Sequence, residues 1–190
     1  MNFDRSSKEN IILVTGASRS GKSEFAEILA RETNMSVIYV ATAKIDNTDA
    51  EWQTRIRQHQ QRRPKNWQTV TISGAELLPY VTQAKPSECL LIDSIGTWIA
   101  NFLDLEQFEW EKTVNILLIN LEASFAKIIL VGEETGWGIV PAYPVGRLFR
   151  DRLGNLSRQI ANIADTTYLV AGGHVLNLST IGVPLSNYEI

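Results

Sequence analysis

Short apolar runs alternate along the chain with stretches that carry helical spacing. Ile11 to Val14 is the first run. It breaks into Thr15-Gly16-Ala17-Ser18-Arg19-Ser20-Gly21-Lys22-Ser23, after which Phe25, Ile28 and Leu29 recur every three to four residues. That pattern predicts a strand, a glycine loop and a helix. A second strand is expected at Val37 to Ala41, and strand, helix, strand implies a parallel crossover. Asp49 to Gln61 is polar and helix-compatible, ending at Arg62-Arg63-Pro64 because proline disfavours helical geometry in the residue before it.

Further along, Gln68 to Ile72 reads as a third strand, and Ala75 to Ala84 as a short helix interrupted near Pro79. Glu88 to Asp93 is a fourth, very apolar strand with Asp93 at its end. Two helical segments follow, Thr97 to Leu103 and Glu109 to Phe125, the second with Val114, Leu117, Leu118 and Leu121 on one stripe. Lys127 to Val131 returns as a strand. The stretch from Gly132 to Gly146 is read as a long loop, punctuated by Gly136, Gly138, Pro141 and Pro144, of a length that points to function. Arg147 to Ala164 is helical, Thr167 to Ala171 is a sixth strand, and Val175 to Leu178 is a hairpin arm after the Gly172-Gly173 turn.

Strands alternating with helices describe one α/β domain over 10–190, with a largely parallel sheet and a flexible extension at 1–9. In such sheets ligands gather at the carboxyl ends of the strands. Composition adds limits. With 190 residues, 44% hydrophobic, the chain is long enough for a real core. Eighteen Lys and Arg against 21 Asp and Glu leave a net charge of −3, which provides no general basic field for nucleic acid or an anionic membrane. Cys89 is the only cysteine and lies in the apolar run Cys89-Leu90-Leu91-Ile92, so it is read as a buried, inert thiol. The polar start MNFDRSSKEN and the absence of an apolar run near the ~18 residues of a membrane span point to the cytoplasm.

Gly16-x-x-x-x-Gly21-Lys22-Ser23 is a complete P-loop between strand and helix. Its glycines let the backbone N–H groups of Ala17, Ser18, Arg19 and Ser20 fold around phosphate oxygens. Lys22 reaches the β and γ phosphates, and Ser23 ligates Mg²⁺. The expected ligand is a nucleoside triphosphate. Asp93 is the natural second holder of the magnesium shell; a cap for the helix that follows is the competing reading, and the two are compatible.

His59 has Arg55 one turn earlier and Arg62-Arg63 just beyond. Cations nearby disfavour the imidazolium, leaving a neutral ring able to act as nucleophile or base, with arginines that draw a polyphosphate towards it. An exposed, idle histidine is the competing reading. His174, after two glycines, is read as structural or exposed. Trp67, Trp98 and Trp137 are read as packing residues and Tyr39 as core. Arg147, Arg150 and Arg152 either decorate a helix or contact ligand, and the residues alone leave both open.

From Ile11 to about Ala171 the chain resembles the bifunctional adenosylcobinamide kinase and adenosylcobinamide-phosphate guanylyltransferase family of cobalamin biosynthesis. The resemblance rests on the P-loop with Arg19-Ser20 inside it, on Tyr39-Val40-Ala41-Thr42, and on Arg55-Ile56-x-x-His59-x-x-Arg62-Arg63-Pro64-x-x-Trp67. It continues through Leu91-Ile92-Asp93-Ser94-Ile95-Gly96-Thr97-Trp98 with Asn101, Glu134-x-Gly136-x-Gly138-Ile139-Val140-Pro141, and Arg147-x-Phe149-Arg150-Asp151 with Gly154. The histidine block and the Gly-x-Gly-Ile-Val-Pro block are the specific part.

The resemblance implies a RecA-like P-loop NTPase fold and Mg²⁺ with ATP and GTP as substrates. It also implies phosphorylation of adenosylcobinamide, and GMP transfer from GTP through a covalent intermediate on His59. Nucleotide contacts are then expected from Gly16 to Ser23, Thr42, Ala43, Lys44, Arg62, Arg63 and Asp93, and a homotrimer is implied as well. The segment Gly136 to Pro144 is expected to touch substrate. The chain departs from the family at Thr71, where a glutamate is usual, at Ala142-Tyr143-Pro144 in place of Glu-Asn-Arg, and at Ser157 in place of Asn. Two alternatives stand beside this reading: a P-loop small-molecule kinase without guanylyl transfer, and a nucleotide-binding regulator that signals by loop ordering.

Overall fold

A computed structural model describes residues 10–43, 54, 56, 57 and 60–188. Seven strands form one sheet in the order β3-β2-β4-β5-β1-β6-β7. They are β1 (Ile11–Gly16), β2 (Ser36–Ala41), β3 (Gln68–Thr71), β4 (Glu88–Asp93), β5 (Lys127–Glu133), β6 (Thr166–Ala171) and β7 (His174–Asn177). All neighbours run parallel except β6 and β7, which form a hairpin around Gly172 and Gly173, both at positive φ. The two glycines supply the left-handed geometry that a two-residue hairpin turn requires.

The central strands read as unbroken apolar runs because both faces are covered. Alternate side chains go to opposite faces. Leu13, Val40, Ile92 and Leu130 meet one core, which contains Leu77, Trp98, Leu117 and Leu156. Val14, Tyr39, Leu91 and Val131 meet the other, which contains Ala26 and Ala30. The first face is thus packed by α2 (Leu77–Gln83), α3 (Ile95–Ile99), α4 (Gln107–Ala123) and α5 (Pro144–Ile163). The second is packed by α1 (Lys22–Glu32). A last short helix, α6 (Leu178–Ile181), follows β7.

Three expectations are adjusted. Pro79 does not interrupt its helix: it is the third residue of α2, in the first turn, where a missing N–H costs no intrahelical bond. The long loop is shorter than the sequence suggests, because β5 continues through Gly132 to Glu133 and α5 begins at Pro144, leaving 134–143 irregular. Proline at the first helical position suits its fixed φ. The helix expected at Thr97 to Leu103 starts earlier, at Ile95, and closes in a 3₁₀ turn at Ala100–Phe102. Of the polar helix expected at Asp49 to Gln61, Thr54, Ile56, Arg57, Gln60 and Gln61 are described and helical, as is Arg62 beyond it.

Candidate active site

The carboxyl ends of β1, β5, β4 and β2 lie side by side, so the sheet brings Gly16, Glu133, Asp93 and Ala41 to one edge. The glycine loop leaves β1 there. A Cβ on Gly16 would sit 2.4 Å from the Val170 carbonyl oxygen and 2.7 Å from Ser20 Oγ, so only glycine fits this approach. Gly21 has φ of 95°, and Arg19 also takes a left-handed conformation. No side chain caps the N-terminus of α1, which leaves its first amide groups and its positive dipole end for an anion. Ser20 Oγ is buried without a hydrogen-bond partner. Lys22 is buried and donates to the Ala17 carbonyl across the loop at 3.2 Å.

Asp93 ends β4 and accepts a hydrogen bond from the Tyr39 hydroxyl at 2.6 Å. The helix-cap reading of Asp93 is resolved: Ser94 is the cap of α3, in a capping box with Thr97. Ser94 Oγ also bonds the Glu133 carboxylate, whose other oxygen accepts from the Gly96 amide at 3.0 Å. Burial raises the Glu133 pKa; the Ser94 bond lowers it, Asp93 raises it and Lys22 lowers it. Thr42 is fully buried. Its hydroxyl donates to the Ser94 carbonyl at 2.6 Å and meets Thr97 Oγ1, tying the end of β2 to α3.

The two arginines after the polar helix have protein partners. Arg62 pairs with Glu24, and with Glu27 at 3.5 Å, both on α1. Arg63 lies over the Tyr39 ring at 3.3 Å and donates to Thr69 Oγ1 at 3.3 Å. Glu27 is buried, and burial pushes its carboxyl above the ordinary range against the opposing pull of Arg62. His59, Arg55 and Lys44 lie outside the described residues; Ala43 is described, at the start of the segment that leads to Lys44.

Serine hydroxyl and carboxylate oxygens are the hard donors Mg²⁺ prefers, and this cation ordinarily keeps waters and nucleotide phosphates as its remaining ligands. Ser23 and Asp93 fit that donor set. No cluster of three or more His, Cys, Asp or Glu able to hold a metal by itself occurs among the described residues.

Beyond the phosphate end, 134–143 is the exposed part. Trp137 is 71% exposed and Ile139 95%, and Val140 and Tyr143 are also out in solvent. Trp137 is therefore not the packing residue the sequence reading made it. Trp98 is: it is fully buried, and its indole N–H donates to the Gly74 carbonyl at 2.9 Å. Arg147 holds the loop's end by donating to the carbonyls of Pro141 (3.0 Å) and Ala142 (2.7 Å). Arg152 is structural, bonded to the Phe102 and Leu105 carbonyls. Arg150 pairs with Asp151. His174 is exposed at the start of β7. Cys89 is buried, with its thiol pushed up to about 11 by that burial.

Sequence reasoning missed Glu133, Glu27 and the Tyr39 hydroxyl. An acid ending an apolar strand was the available signal for Glu133, the same signal that singled out Asp93.

Residues 12–178 match the family described as cobinamide kinase / cobinamide phosphate guanyltransferase. The chain belongs to this family. Among curated relatives, a bifunctional adenosylcobalamin biosynthesis protein of Pseudomonas aeruginosa is 37% identical, covering 84% of this chain and 92% of that one. Proteins of the same description from Escherichia coli and Salmonella typhimurium are 36% and 33% identical, each match covering 86% of this chain and 96% of the relative. Among solved structures, a type III secretion system ATPase aligns with a TM-score of 0.53 at 12% identity, over 94% of this chain and 60% of that one. A Pyrococcus horikoshii OT3 protein aligns with a TM-score of 0.52 at 9% identity, over 90% and 86%. These likenesses show the fold alone, a mostly parallel sheet flanked by helices that this cobinamide kinase / guanyltransferase family member shares with the secretion ATPase. No helix among the described residues is long and apolar enough to cross a membrane.

Proposed function

We propose that the chain phosphorylates adenosylcobinamide with ATP or GTP and then transfers GMP from GTP to the phosphorylated corrinoid. The observation that carries this reading is the joining of a P-loop to the family's two specific blocks, around His59 and around Gly136 to Pro141, in one chain whose whole sheet is matched.

In the kinase step the corrinoid's hydroxyl oxygen attacks the γ-phosphorus as its proton passes to water, the bond to the β-γ bridging oxygen breaks, and the nucleoside diphosphate leaves. The chemistry asks for positioning and charge neutralisation. Amides of Gly16 to Ser23 cradle the phosphates, and Lys22 exchanges its Ala17 carbonyl for a phosphate oxygen. Ser23 and Asp93 would hold Mg²⁺, which would supply screening of the phosphate charge.

In the second step a neutral His59 nitrogen attacks the α-phosphorus of GTP and pyrophosphate leaves. A phosphate oxygen of the corrinoid then attacks the same phosphorus, breaking the N–P bond and freeing the histidine. Ala43, Lys44, Arg62 and Arg63 are assigned to the nucleotide in this step, whereas Thr42, fully buried and bonded to Ser94 and Thr97, is assigned to holding the end of β2 rather than to the contact expected of it. The exposed loop 134–143 is assigned to the corrinoid, whose large apolar faces suit Trp137 and Ile139. The reading keeps the enzyme in the cytoplasm, as its polar start suggests, and makes it a homotrimer on the family resemblance.

Incubation with α-labelled GTP and Mg²⁺ leaves acid-labile, base-stable label on the wild type and none on His59→Ala. Lys22→Ala abolishes γ-phosphoryl transfer to adenosylcobinamide. An unlabelled wild type that still phosphorylates adenosylcobinamide would establish the kinase-only alternative, which the departures at Thr71 and Ala142-Tyr143-Pro144 favour.

A further inference from the structure

The Tyr39 side chain lies between two groups of the proposed site. Its ring is in the core beside α1, its hydroxyl donates to Asp93 Oδ2 at 2.6 Å, and the Arg63 guanidinium carbon lies over the ring, 3.3 Å from its centre. Arg63 is itself held by Thr69 on β3, and its Nε is buried without a hydrogen-bond partner. The chain Arg63–Tyr39–Asp93 therefore links the segment that follows His59 in the sequence to the acid at the end of β4.

A carboxylate's terminal torsion is broad and roughly two-fold, so a carboxylate without fixed neighbours samples many rotations. A short bond from a buried phenol restricts that rotation. A cation on the ring face withdraws electron density and strengthens the O–H donor. Partners of this kind, one bond removed from a metal ligand, typically govern affinity by ~10–100-fold.

We infer that Tyr39, with Arg63 stacked on its ring, is a positioning residue that orients Asp93 for the divalent cation of the nucleotide complex. The inference rests on the assignment of Asp93 to the metal under the proposed function. It also gives Arg63 a role separate from direct phosphate contact.

The test measures binding rather than turnover. Full-length protein with a non-hydrolysable GTP analogue is titrated with Mn²⁺, and free Mn²⁺ is read by electron paramagnetic resonance. Asp93→Asn, Tyr39→Phe and Arg63→Met are compared with wild type, alongside melting temperatures. The expected result is a loss of Mn²⁺ affinity of about tenfold or more for Asp93→Asn, about tenfold for Tyr39→Phe and several-fold for Arg63→Met. Wild-type affinity in Tyr39→Phe beside a weakened Asp93→Asn overturns the inference and leaves the metal assignment standing. Wild-type affinity in Asp93→Asn overturns the metal assignment and the inference with it. A lowered melting temperature in Tyr39→Phe with unchanged affinity marks a purely structural role and overturns the inference. Arg63→Met keeps Tyr39 intact, so the relay is tested even where Tyr39→Phe fails to fold.

Discussion

The carboxyl edge of the sheet and the loop 134–143 differ in almost every physical respect. At the sheet edge, Glu133, Ser94, Thr42 and Thr97 bond one another in a buried network, and a methyl group on Gly16 or Gly96 would collide with its surroundings. In the loop, Gly136 and Gly138 have nothing within 4 Å of where a Cβ would go, and Trp137 and Ile139 face solvent. The first region has one geometry, set by packing on both sides. Phosphates need that, because their recognition depends on fixed amides and fixed charges. The second leaves large apolar side chains uncovered, and a loop that touches its neighbours so little can adapt to a bulky substrate.

Substitutions sharpen this contrast. Trp98→Ala is expected to cost most stability, about 3–5 kcal/mol, because the ring is fully buried against Phe102 and Trp110 and supports the segment that follows Asp93. Denaturant melts measure it. Gly96→Ala drives a Cβ to 2.3 Å from Glu133 Oε2, an overpacking of about 1–3 kcal/mol that also disturbs the Ser94 cap.

A subtler difference is in pH. Burial keeps the Glu133 proton bound above the ordinary glutamate value of 4.5. The folded chain therefore holds a proton that the unfolded chain has released. That contribution to stability is complete below the ordinary value and is lost as pH climbs through the raised one. Glu133→Gln removes the titration. Its melting temperature relative to wild type should improve as pH rises above the ordinary glutamate value. Glu27, raised in the same direction, is common to both proteins and cancels in the comparison. A constant gap between the two melting curves would contradict the burial argument.

The smallest effect on stability belongs to the loop. Trp137→Ala should change the free energy of unfolding by no more than about 0.5 kcal/mol, as for other exposed positions, while raising the KM for the corrinoid and leaving the KM for nucleotide alone. A large loss of stability would mean the side chain packs after all.

The strands were legible because parallel strands covered on both faces become continuous apolar runs, and the P-loop because its glycines answer to backbone geometry that few other residues allow. Asp93 was legible for the same reason, as an acid at the end of such a run. Glu133 ends its strand in the same way but was passed over, since local sequence does not say that β5 inserts between β1 and β4 and so brings its last residue beside Lys22 and Asp93. Trp137 was misread because an aromatic residue is packed more often than exposed, and only the short contact of 134–143 with the rest of the chain reverses that. Tyr39 was rightly placed in the core, but burial alone does not reveal a hydroxyl aimed at a carboxylate.

The proposed function requires a nucleoside triphosphate on the loop from Gly16 to Ser23 with its cation between Ser23 and Asp93. A crystal structure with a non-hydrolysable GTP analogue and Mg²⁺ tests it directly. The predicted result has Lys22 released from the Ala17 carbonyl onto a phosphate oxygen and the cation shell touching Ser23 Oγ and the Asp93 carboxylate. Phosphates held away from this loop, with Lys22 still on Ala17, would contradict it.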